Sequence, residues 1–106
     1  MKLSNIILGE ANYTPYRAMI QVLSRDASPS VLADLIRALP GVTTCTIAGS
    51  DDAASKYVFK VKIITQKGAS EAFEALKKNA MSKYTEVNSF RVAPNSVERM
   101  KRPGEY

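Results

Sequence analysis

The sequence predicts an α+β domain of order βαββαβ, a four-stranded antiparallel sheet with two helices on one face. Three observations carry this. Residues 18–48 read strand, helix, strand, and residues 57–92 repeat the order. Each helical stretch has an apolar stripe along one side. The clearest strand, Tyr57-Val-Phe-Lys-Val-Lys-Ile-Ile64, alternates apolar and basic positions with period two, as a sheet covered on one side requires.

The first strand spans Ala18 to Arg25. Ile20 and Val22 lie on one face, and Met19, Gln21, Leu23 and Arg25 on the other. Apolar residues on both faces suit a central strand whose outer side is also partly covered. Ser28 then caps a helix and Pro29 occupies its first position, where a missing N–H is harmless. Val31, Leu32, Leu35, Ile36 and Leu39 form its apolar stripe, and Leu39-Pro40-Gly41 stops it.

Val42 to Ala48, rich in β-branched residues, is the second strand, and 49–56 is expected to be a polar hairpin loop. In the third strand Tyr57, Phe59, Val61 and Ile63 make the core face, and Lys60 and Lys62 point the other way. The second helix runs from Gly68 and Ser70 to about Ser82, with Ala69, Phe73, Leu76 and Ala80 inward. Val87 to Val92 is the fourth strand, ended by Pro94. Residues 1–17 are expected to be an N-terminal arm and 93–106 a polar tail, within one domain of 106 residues.

This element order resembles ferredoxin-like sandwiches, including amino-acid-sensing ACT modules. The resemblance covers about residues 18–92 and is topological. It implies a scaffold that hosts sensors, nucleic-acid binders, enzymes and assembling subunits alike, so the fold class selects no function.

Composition narrows the chemistry. There is no histidine, so the commonest general base and metal ligand is missing. The single cysteine, Cys45, cannot form an internal disulfide, adds almost nothing to a zinc site, and is expected to be a buried thiol. The five glycines are scattered, and no phosphate-binding loop occurs. No catalytic residue, metal site or cofactor is assigned. An enzymatic reading rests on Tyr57, Glu71 and Lys62 in a cleft between subunits, in the manner of histidine-free phage lyases acting on S-adenosylmethionine, whose general architecture is similar.

A net charge of +5 permits attraction to polyanions without establishing it. Nucleic acid is the less favoured partner. RNA-recognition domains share the topology and stack bases on two aromatics spaced as Tyr57 and Phe59 are, but here that face continues through Val61 and Ile63 as a core. The favoured partner is a second or third copy of the chain. Its contact residues are Met19, Leu23 and Ile64 on the outer sheet face, with Ile6, Ile7 and Leu8 from the arm. The runner-up is a small-ligand or nucleotide module of the ACT or nitrogen-regulator type, with a charged ligand held between subunits by Lys60, Lys62 or Arg91.

Met1 to Ala11 carries one lysine, a short apolar cluster and then Leu8-Gly9-Glu10. It resembles the capsid-targeting leaders of internal head proteins in T-even-like tailed phages, which are cut after a Leu-x-Glu or Ile-x-Glu tripeptide. The resemblance implies a phage-encoded protein in the host cytoplasm or the virion. Otherwise the segment is a structural arm. No stretch approaches the roughly 20 apolar residues of a membrane span, and a cytoplasmic setting is expected.

Overall fold

A computed structural model describes residues 13–101. It is an α+β arrangement of five antiparallel strands and two helices. In chain order these are β1 (Thr14–Leu23), α1 (Pro29–Arg37), β2 (Val42–Asp51), β3 (Lys56–Thr65), α2 (Ala69–Lys83), β4 (Ser89–Val92) and β5 (Glu98–Arg99). The sheet order is β2-β3-β1-β4, and β5 also pairs with β1. No helix among the described residues is long and apolar enough to cross a membrane.

The β1–β3 ladder is the spine. It runs without a register break from Thr14↔Thr65 to Leu23↔Lys56. Directly opposed residues share a face, so Ala18, Ile20 and Val22 meet Val61, Phe59 and Tyr57 on one side. All six are buried there, and Phe59, Ile20 and Val22 are fully enclosed. Leu32, Ala33 and Ile36 from α1 and Phe73, Leu76 and Ala80 from α2 close over the same side, which places both helices on one face.

The helix boundaries follow local chemistry. Ser28 Oγ accepts from Val31 N at 3.4 Å, and Pro29 fills the first helical position. Past the end of α1, Gly41 takes φ +86°, and a β-carbon there would lie 3.3 Å from the Ile64 carbonyl. That close approach lets Ile64 N bond Gly41 O at 2.9 Å and starts the β2–β3 pairing.

Several boundaries differ from the sequence-based expectation. β1 begins at Thr14, inside the expected arm, although Pro15 lies within it. Pro15 turns its carbonyl towards Met100 N (2.9 Å), so its missing N–H removes nothing from the β1–β3 ladder. β2 and β3 extend until only a tight turn separates Asp51 from Lys56, where a polar loop over 49–56 was expected. Two β-bulges, between Val42 and Thr44 and between Ile47 and Gly49, keep the lengthened β2 paired. Val31 is 46% exposed rather than in the stripe, and Ala33 takes the buried position.

The expected tail also contributes to the sheet. β5 continues the line of β4 along the same edge of β1 after an excursion through Pro94 and Asn95, the latter in the left-handed region at φ 62°. Ser96 bridges the gap, its hydroxyl accepting from Met19 N at 3.2 Å and lying 2.7 Å from the Ala93 carbonyl. Periodicity could not reveal a two-residue strand, which makes the sheet five-stranded rather than four.

Phe59→Ala should cost about 3–5 kcal/mol of stability in urea unfolding, because the ring is fully enclosed between sheet and helices. Val58→Ala, one residue along on the opposite face, should cost about 1 kcal/mol or less.

Candidate functional site

The side of the sheet away from the helices is uncovered among the described residues. β1 contributes Arg17, Met19, Gln21 and Leu23 to it, and β3 contributes Lys56, Val58, Lys60, Lys62 and Ile64. Thr44 and Thr46 lie across from Lys62 and Lys60, and Arg91 lies across from Gln21. Leu23 and Ile64 are 38% and 41% exposed, while Met19 and Val58 are half-buried by their neighbours. Outward positions along one strand repeat every ~6.7 Å, and neighbouring strands stand ~4.8 Å apart. Lys60 and Lys62 therefore sit side by side, and Arg91 lies two strands away across Met19 and Gln21.

Charge is distributed unevenly over this face. Lys62 and Arg17 are directly opposed, an unfavourable like-charge pair. Glu98 on β5 offsets it, accepting from Arg17 Nη2 at 2.6 Å and Nε at 3.0 Å. Both side chains are about half exposed, so the pair contributes at most about 1 kcal/mol. Its larger effect is to tie β5 to β1 beside a hollow of about 270 Å³ that Arg17 and Glu98 line together with Met19, Lys60 and Ser96. Asp51, opposite Lys56, is the other carboxylate on the face. Among the described residues, Lys60, Lys62 and Arg91 form no ion pair.

The sequence-assigned residues are thus divided. Met19, Leu23, Ile64, Lys60, Lys62 and Arg91 share one surface, whereas Ile6, Ile7 and Leu8 lie outside the described residues. Tyr57, Glu71 and Lys62 do not converge. Tyr57 is buried beneath the helices, Lys62 is on the opposite face, and Glu71 is exposed in the first turn of α2. The burial of Tyr57 and Phe59 likewise removes the base-stacking platform that RNA recognition would use. Arg17, Glu98 and Val58 belong to the site and were not singled out from the sequence. The alternation of β3 alone would have placed Val58 beside Lys60.

Two further features border this face. A cleft of about 490 Å³ separates α2 from β4, with Phe73, Val92 and Val97 as apolar walls and Glu74, Lys77 and the face's Arg91 at its rim. At the β2 edge, Arg37 donates to the Cys45 carbonyl at 2.9 Å and to Asp34 Oδ1 at 2.7 Å. Burial pushes the Cys45 thiol up to about 11, Arg37 pulling it down and Asp34 adding to the rise. No group of three or more acidic, cysteine or histidine side chains suited to a metal occurs among the described residues.

No protein-family model, curated protein or solved structure matches the chain.

The thiol shift has a pH signature. Between the ordinary value of 9.0 and about 11, the unfolded chain releases the proton while the folded protein keeps it. The folded state then binds more protons, so stability is lost as pH rises through this window. Relative to Cys45→Ala, the protein should lose roughly 2–3 kcal/mol in urea unfolding between pH 8 and pH 11.

Proposed function

We propose that this protein is a non-enzymatic, ferredoxin-like binding module that associates with itself through the open face of its sheet. The strand order β2-β3-β1-β4, with both helices on one side, supports the ferredoxin-like assignment. The observation that carries self-association is the set of partly exposed apolar side chains, Met19 and Val58 near the middle and Leu23 and Ile64 towards opposite ends, on a face that no element of the described chain covers. Apolar side chains interleaved with polar ones, and drawn partly out of water already, are common in the contact surfaces of assembling subunits.

The dimensions are adequate. Four strands at ~4.8 Å by ten residues at ~3.3 Å give a plan area of ~600 Å². Side-chain relief brings the accessible area near the ~800 Å² per partner of an ordinary stable interface.

A second reading is a small-ligand module that binds a charged ligand at Lys60, Lys62 and Arg91. Among the described residues these three cations form no ion pair, which favours it. A ligand that binds the folded state must raise the melting temperature, so nucleotides and S-adenosylmethionine are the first compounds to test.

Light scattering in phosphate buffer at micromolar protein should give at least twice the 11.6 kDa chain mass. Leu23→Asn, which alters no charge, should weaken association at least about tenfold while moving the melting point by only a few degrees. A strict monomer under these conditions would remove the self-association reading.

A further inference from the structure

The same face that offers apolar contact also resists closure. Among the described residues Lys60, Lys62 and Arg91 form no ion pair; of the two acidic groups on the face, Glu98 borders the hollow beside Lys60 but is tied to Arg17, and Asp51 lies opposite Lys56. A two-fold contact of this face with a second copy, its axis passing close to Lys60 at mid-face, brings the two sets of three cations together. Expelling water from such a contact strengthens their repulsion and strips their hydration. Apolar side chains therefore favour association, and the central charge opposes it.

We infer that association through this face is conditional on a multivalent, phosphate-bearing small anion held between the two copies by Lys60, Lys62 and Arg91. This rests on the self-association reading above and names what that contact requires. A monovalent anion leaves most of six cations unbalanced, whereas a polyphosphate brings several charges and many acceptor oxygens. The surrounding groups suit it. Arg91 can donate two parallel hydrogen bonds to a phosphate, the lysines act as point charges, and Thr44 and Thr46 add hydroxyl donors beside them.

One packing constraint and one observation select a small anion over nucleic acid. Sheets packed face to face stand about 10 Å apart, which admits one layer of side chains and a small anion but not a duplex. In addition, Tyr57, Phe59 and Phe90, the strand aromatics of β3 and β4, are all buried on the helix side, so the open face cannot stack bases through them.

The test uses sedimentation at fixed, low ionic strength in chloride, with and without about 1 mM inorganic tripolyphosphate. The dimer dissociation constant of the full chain should fall at least about tenfold when tripolyphosphate is added. The variant K60Q/K62Q removes four of the six cations and so most of the repulsion. It should associate without tripolyphosphate and respond to it at least about tenfold less than the unsubstituted chain, and adding Leu23→Asn should return it to monomer. Melting of each variant checks that the fold is kept. If the protein dimerises equally with and without tripolyphosphate, and Leu23→Asn still dissociates it, the anion requirement is wrong and the self-association reading stands. If tripolyphosphate raises the melting point while the mass stays at that of one chain, the anion binds without bridging and the inference fails. If the protein with tripolyphosphate and K60Q/K62Q are both monomeric, the inference and the self-association reading fail together.

Discussion

The unbroken ten-residue ladder between β1 and β3 is the constraint on which the rest of the structure depends. Side chains alternate along a strand with period two, so a slip of one residue would exchange every inward position for an outward one. In the observed register, Ile20 opposes Phe59 and Ala18 opposes Val61 beneath the helices, while Met19 opposes Lys60 and Arg17 opposes Lys62 outside. The alternative would bury Lys60 and Lys62 and expose Phe59 and Val61. Buried unpaired charge is among the most costly arrangements a small core can hold, so register and core specify each other.

The two sheet edges are handled differently. β2 is long and carries no charge from Val42 to Ser50, the kind of edge on which other strands can add. Its two bulges interrupt regular pairing, and Arg37, anchored by Asp34, occupies the Cys45 carbonyl. On the other side, β4 and β5 divide the edge of β1 between them, and the Ser96 hydroxyl takes the place of a missing backbone partner. The Arg17–Glu98 pair is too exposed to stabilise the fold much, but it joins the last described strand to the basic face. A surface meant only to face water has no need of half-buried Met19 and Val58 between lysines. One meant only to pack apolar surface would not keep Lys60, Lys62 and Arg91 unpaired. The mixture suits a contact that forms with one partner and under one condition.

Much of this could be read from the residues alone. The alternation in Tyr57–Ile64 assigned both faces of β3 correctly, because β-strand geometry ties each position to a side without reference to any other element. Ser28-Pro29 and Pro40-Gly41 bracketed α1 to within two residues, because capping and chain reversal are local chemistry. Cys45 was expected to be buried from its place in a β-branched run, and it is. Tertiary structure decided what local patterns cannot encode. Thr14 to Arg17 join β1 because β3 and β5 are there to pair with them, despite a proline that disfavours a strand in isolation. Glu98 and Arg99 form a strand only because the chain returns beside Tyr16 and Arg17. The candidate site belongs to the same category. Arg91 lies far along the chain from Lys60 and Lys62, and it shares a surface with them because β1 pairs with β3 on one side and β4 on the other. Side-chain alternation sets which way each cation points, but only the order of strands sets which cations become neighbours.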